Sequence, residues 1–197
     1  HDERAAFDAA LLGGTGRTDP LNHAHRIGGL RVVCLDSTVP GLDSGSVAPD
    51  SLSWLADQLG EPAPEGTILA MHHAPLPVVQ DLAASWELVG QPELAGVLAG
   101  SDVRAILAGH FHQAGFGLFA GIGVHAATSL CYTQDLSTGR GMRGQDGAQA
   151  WQLISVHAAT VTSTVAPIGR YPTVVAPHRA ADAPAELAAR GVRFPTA

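Results

Sequence analysis

Lysine is absent from this chain of 197 residues, cysteine occurs twice, aromatic residues make up 5% and charged residues 15%. Each shortage excludes something. Cys34 and Cys131 lie far apart and match no Cys-x-x-Cys spacing, so no disulfide framework is expected and the chain reads as reduced and cytoplasmic. No apolar run approaches the ~20 residues of a bilayer span, so no transmembrane segment is expected. Nothing near residue 1 joins a basic leader to an apolar stretch and a small-residue cleavage site, so no secretory leader is expected. Eleven basic residues, every one arginine, stand against 18 acidic ones for a net charge of −7, which argues against a DNA or RNA partner. What is plentiful is apolar side chain, at 46%, too much for a disordered tail and enough to demand a core.

The length favours one domain with appendages. Asp2 to Leu12 reads as a helix stopping at Gly13-Gly14. Leu30 to Leu35 reads as a buried strand, closed by Asp36-Ser37-Thr38 and Pro40-Gly41. Leu52, Leu55, Ala56 and Leu59 recur at helical spacing after the start signals Pro49-Asp50-Ser51, and Gly60 with Pro62 ends that helix. Thr67 to Met71 and Val103 to Ala108 are further strands, with a short helix between them that opens at Pro92 and closes at Gly100. Segments 117–120 and 123–127 suggest a hairpin turning at Gly121-Ile122. Segments 151–156 and 160–165 suggest another. The proline-punctuated stretch from Ala166 reads as a weakly structured tail with one short helix near Ala185 to Arg190.

Histidine is the informative residue, with ten copies and two tight clusters, His72-His73 and His110-Phe111-His112. The two strands and the helix between them form a β-α-β unit, which lays the strands parallel in one sheet. As neighbours they sit about 4.8 Å apart. His72 and His110 then emerge at the C-terminal edge, where open α/β sheets bind ligands. His112, two residues on in extended backbone, points the same way as His110. A lone histidine is usually structural, and His23, His25, His73, His125, His157 and His178 keep that reading, His73 because an adjacent strand residue faces the other way. Three converging imidazoles invite a cation. Asp36 also ends a strand and could reach the rim, but Asp-Ser-Thr before Pro-Gly is more often turn chemistry.

His1-Asp2, Met71-His72-His73-Ala74-Pro75 and Gly109-His110-Phe111-His112 resemble the C-terminal three signature boxes of the calcineurin-like metallophosphoesterase superfamily. The wording between them, including Leu35 to Gly41 and Cys131-Tyr132-Thr133-Gln134-Asp135-Leu136, is most similar to class III cyclic nucleotide phosphodiesterases of the mycobacterial type. The resemblance implies an α/β fold, part of a four-layer α/β/β/α sandwich, over residues 1–165, with 166–197 as a Pro/Ala-rich tail. It implies a two-metal hydrolase, Fe with Mn or Zn, that opens 3′,5′-cyclic AMP and 2′,3′-cyclic nucleotides. His72 and His110 would hold one metal and His112 the other, while His1 would face the phosphate as substrate-binding group and general acid. A homodimer is implied, and a cytoplasmic location, with peripheral membrane attachment as the alternative.

The family's Asp-x-His and Gly-Asp boxes and the asparagine before His1 would lie upstream of residue 1, and Ala74 stands where relatives usually carry proline. The chain alone is therefore expected to hold at most one metal and to be impaired. Two alternatives stay open: a non-catalytic truncated domain, or another phosphoesterase of the superfamily. Gly13 to Thr18 follows a helix and lacks the lysine of a phosphate loop. The loop with Arg140 and Arg143 reads as solvated, and Trp86 as either a base-stacking or a core residue.

Overall fold

A computed structural model describes residues 3–138, 141–174 and 182–191; the readings on His1, Arg140, His178 and parts of the tail lie outside them. The elements in chain order begin with α1 (Arg4–Phe7), β1 (His23–Ile27), β2 (Leu30–Leu35), β3 (Gly45–Ser46) and α2 (Pro49–Leu59). There follow β4 (Thr67–His73), a 3-10 turn at Asp81–Trp86, β5 (Leu88–Val89), α3 (Gln91–Leu98) and β6 (Val103–Gly109). The rest comprises β7 (Gly115–Phe119), β8 (Ile122–Ala126), β9 (Thr133–Gln134), β10 (Gly144–Gln145), β11 (Ala150–Val156), β12 (Val161–Pro167) and α4 (Ala183–Ala189).

Six strands form the central sheet in the order β1-β2-β4-β6-β8-β7. Its middle is parallel, β2 to β4 to β6 to β8, and each edge is an antiparallel hairpin. The unit β4-α3-β6 therefore pairs directly, as its spacing suggested. β-branched and leucine side chains alternate across β2 and β4, so one face carries Val33, Leu35, Leu69 and Met71 into the core. There they meet Leu55 of α2 and Leu94 and Leu98 of α3. The opposite face, with Cys34, Ala70 and His72, borders a cavity of about 420 Å³ reached by Arg4 and Phe7. The described residues make a mixed α/β fold around this sheet.

Four expectations need correction. The first helix is α only to Phe7 and continues as a π turn over Asp8–Leu12, capped by Gly13 at φ 67°. It buries Asp8, with Leu11 left exposed, because the Asp8 carboxylate collects the Gly16 and Arg17 amides and the Arg17 guanidinium. Residues 23–27, read without a strand, pair with β2 through a Gly28-Gly29 turn; the polar composition of His-Ala-His-Arg-Ile concealed an edge strand. The β7-β8 hairpin, expected to turn at Gly121-Ile122, turns at Ala120-Gly121, both left-handed at φ 50° and 79°, the two-residue geometry that matches strand twist. The backbone does not stay extended from β6 through His110-Phe111-His112, as expected: His110 and His112 adopt φ 78° and 53°. Beta-paired β11 and β12 form their own two-stranded sheet.

The far end of the sheet is closed by one buried ion pair. Arg31, 3% exposed, donates to both Asp102 carboxylate oxygens at 2.9 and 3.1 Å, to Thr67 Oγ1, and to the carbonyls of Gln58 and Glu61. Asp102 in turn accepts from the Ala63 amide and the Thr67 hydroxyl. Removing one member strands a buried charge. Asp102→Ala is expected to lower unfolding free energy by about 3–5 kcal/mol, the range for breaking such a pair. Chemical denaturation measures it, and a loss below about 1 kcal/mol, typical of an exposed pair, would overturn the assignment.

Candidate metal centre at the histidine rim

β4 ends at the rim with His72 on the open face and His73 on the core face. The first is exposed and the second fully buried. β6 ends beside it at Gly109, which lies opposite His73 in the parallel register. The chain then turns sharply through left-handed His110, and this swings the His110 ring back over β4. Its centroid lies 4.9 Å from that of His72 and 4.4 Å from that of His73. Non-glycine residues seldom accept positive φ, and where they do the strain often marks a functional position.

The hydrogen bonds fix which nitrogens are available. His110 Nε2 sits 3.1 Å from the Trp86 carbonyl, which can only accept, so Nε2 carries the proton and Nδ1 the lone pair. That Nδ1 accepts a hydrogen bond from His72 Nε2 at 3.1 Å. Two nitrogens bound tetrahedrally to one ion at ~2.0–2.1 Å stand about 3.3 Å apart, so this pair is already at ligand spacing. His112 stacks its ring on Tyr132, with centroids 4.3 Å apart, and its Nδ1 is buried with no hydrogen-bond partner. A buried polar atom left unpaired is expensive and calls for a bound group. The donor set thus fits a cation held by imidazole nitrogens.

His73 also brings a nitrogen within 4.8 Å of those of His72 and His110. Its side chain faces the core, as alternation along the strand predicts, and at the strand end its ring still contacts theirs, with centroids 4.9 Å from His72 and 4.4 Å from His110. Sequence reasoning missed His73, the Trp86 carbonyl and Tyr132; the His72-His73 doublet was the available signal. The structure brings His72 and His110 together directly. His112 lies outside the group of histidines, His72, His73 and His110, whose nitrogens fall within 4.8 Å of one another. Asp36 is turn chemistry, as the composition favoured. Burial alone would raise its carboxyl, but bonds from Thr38 and Leu21 and the Arg4 charge outweigh it and hold it below its ordinary value.

No protein-family model matches the chain. A "Probable cyclic nucleotide phosphodiesterase" from Rhodococcus erythropolis is 47% identical over 195 residues, covering 98% of this chain and 65% of that protein. A cAMP/cGMP dual specificity phosphodiesterase from Mycobacterium tuberculosis is 47% identical over 175 residues, 88% of this chain and 55% of its own length. Among solved structures, a "Putative 5'-Nucleotidase" from Staphylococcus aureus superposes on 83% of the chain with a TM-score of 0.39 at 14% identity and covers 32% of that chain. At that score the likeness decides nothing about the layers. The chain is similar to proteins named as cyclic nucleotide phosphodiesterases, and it spans 65% and 55% of the two relatives' lengths.

Although part of the His72 surface faces solvent, crowding of the rings desolvates the nitrogens. Desolvation, reinforced by the neighbouring imidazoles, lowers His72 to about 3 and His110 to about 4, from an ordinary 6.5. Both are neutral and metal-competent at pH 7. The linkage sign follows. Above pH 6.5 neither the folded nor the unfolded chain protonates them, so they do not affect stability. As pH falls below 6.5 the unfolded chain takes up protons that the fold refuses, and stability declines until about pH 3 to 4. Denaturant unfolding of metal-free protein across this window should show that decline, and His110→Gln should flatten it; an unchanged slope in the variant would refute the shift.

Proposed function

We propose that the whole protein is a metal-dependent phosphodiesterase that hydrolyses 3′,5′-cyclic AMP and 2′,3′-cyclic nucleotides. The observation that carries this reading is the pair His72 Nε2 and His110 Nδ1, 3.1 Å apart and neutral at pH 7, in a chain 47% identical to proteins named for cyclic nucleotide hydrolysis. In this reading His72 and His110 hold one cation, His112 contributes to a second, and the pair is Fe with Mn or Zn. Bound there, such ions supply Lewis-acid polarisation of the phosphoryl oxygens and acidify water.

The chain's own residues do the rest. The Trp86 carbonyl holds the His110 Nε2 proton and so aims the Nδ1 lone pair at the site. Tyr132 and the Gln134 amide, which donates to the His112 carbonyl at 3.1 Å, keep His112 in its left-handed turn. His1 binds the phosphate and gives a proton to the leaving ribose oxygen, a general-acid step worth about 10² to 10⁴ in rate. Residues 1–165 form the metallophosphoesterase domain, within a four-layer sandwich in the whole protein, and 166–197 its tail. The protein works as a cytoplasmic homodimer.

A two-metal centre needs bridging carboxylate, and among the described residues the cluster at the rim is histidine alone. Asp36, the nearest strand-end carboxylate, is committed to Arg4, Leu21 and Thr38. The 197-residue chain by itself is therefore expected to bind at most one ion, weakly, with cyclic AMP turnover reduced by orders of magnitude relative to the whole protein. Elemental analysis beside a phosphodiesterase assay measures this; two tightly held ions with rapid turnover would contradict it. In the whole protein, His110→Ala should bring cyclic AMP hydrolysis to background with circular dichroism unchanged, because a rim residue contributes to metal retention more than to the core. Wild-type turnover in that variant would remove the assignment.

A further inference from the structure

We propose that His73 is a positioning residue of the histidine rim, not one of its cation ligands, although its nitrogens lie among those of His72 and His110. Both of its ring nitrogens are engaged elsewhere. Nε2 stands 3.1 Å from the Asp43 carbonyl, an obligate acceptor, so Nε2 carries the proton. Nδ1, left with the lone pair, lies 2.9 Å from Ser37 Oγ, whose hydroxyl donates to it. The same Ser37 oxygen accepts the His73 backbone amide at 3.2 Å. The circuit closes with each polar atom used, and it is dry: His73 is 0% and Ser37 1% exposed. A cation taking Nδ1 would have to break the Ser37 bond inside the core, leaving a buried hydroxyl unpaired.

What the locked ring does is hold its neighbour. His110 is in left-handed backbone, a strained conformation that persists only when the surroundings over-determine it. The His73 ring packs against the His110 ring from the core side at 4.4 Å, and the Trp86 carbonyl fixes it from the other nitrogen. Two further features tie these supports together. Gly45 comes so close to His73 that a Cβ there would stand 2.3 Å from Cγ of the ring, so the backbone of β3 is the plate behind it. The Gly45 amide also donates to the carbonyl of Glu87, the residue after Trp86, at 3.3 Å. Ser37, Gly45 and His73 thus form a buried bracket that sets the His110 Nδ1 against His72 Nε2, without any of the three touching the cation. The inference rests on His72 and His110 being the ligands, as proposed above.

The test uses the whole protein, labelled with ¹⁵N in histidine only, and Zn²⁺ alone as the probe. Ring-nitrogen spectra report tautomer and coordination for each imidazole. The expected result is that His110 Nδ1 and His72 Nε2 move on addition of Zn²⁺, whereas His73 stays the Nε2–H tautomer throughout. A coordination shift at His73 Nδ1 would overturn the proposal. Calorimetric titration with Zn²⁺ supplies the second readout: Ser37→Ala is expected to weaken binding by about 10-fold, in the range found for groups that orient a ligand, with the number of ions unchanged. Loss of one ion in Ser37→Ala, or no change in affinity, would also overturn it. The ligand reading fails separately, if His110→Ala binds Zn²⁺ as tightly as the parent.

Discussion

The parallel pairing of β4 with β6 is the constraint on which the rest depends. It sets His73 opposite Gly109, so that two strands about 4.8 Å apart deliver histidines to one edge. The register shifts between Ala70 and His73, at the strand end itself, and this lets both faces of β4 contribute. His72 comes from the open face and His73 from the core face, and neither could meet His110 if β6 ran straight on. The Gly109 terminus is what ends the ladder. From it the chain needs a tight reversal, and the left-handed His110 makes that reversal while bringing a ring back over its neighbour strand.

Such a reversal stores strain, and the molecule distributes its compensation over several elements. His110 is held by the Trp86 carbonyl at the end of the 3-10 turn and by the His73 ring from β4. His112 is held by the Gln134 amide of β9 and by the Tyr132 ring. The loop that carries these is itself pinned, since Asp135 binds the Arg143 guanidinium at 2.8 Å and accepts from Ser137. Those bonds, Ser137 first and then Arg143, hold the Asp135 carboxyl down at about 2. Segments far apart in sequence therefore converge on two residues, which is the pattern of a pre-organised site and not of a solvated loop.

How much of this was legible from residues alone depended on whether the signal was local. The strand at Leu30–Leu35, the helix ending at Gly60 and the β-α-β unit carry their periodicity and their stop residues in sequence, and the structure has them there. The adjacency of His72 and His110 was legible because handedness and parallel pairing leave few alternatives. The left-handed backbone of His110 and His112 was not, since histidine has no intrinsic preference strong enough to announce it and the tertiary contacts that impose it come from residues 86, 132 and 134. The role of His73 was hidden for a similar reason: alternation along a strand predicts which face a side chain takes, but at a strand end the faces cease to be separated. Arg31 offered no hint of burial, because its partner Asp102 lies 71 residues away.

Charge gives the last step. The chain carries −7, and the phosphate of the substrate proposed above is an anion, so encounter would be opposed at long range unless the site is locally positive. The rim histidines do not provide that charge, being held neutral by desolvation at pH 7. Of the described arginines, Arg4, which lines the cavity beside His72, lies against Asp36, and Arg143 lies against Asp135. An uncharged cluster of imidazoles is a poor anion site and a good cation site. In the proposed reading the same desolvation that strips the histidines of protons therefore serves substrate binding indirectly, by reserving the rim for a cation whose charge a phosphodiester can then meet in a low-dielectric pocket.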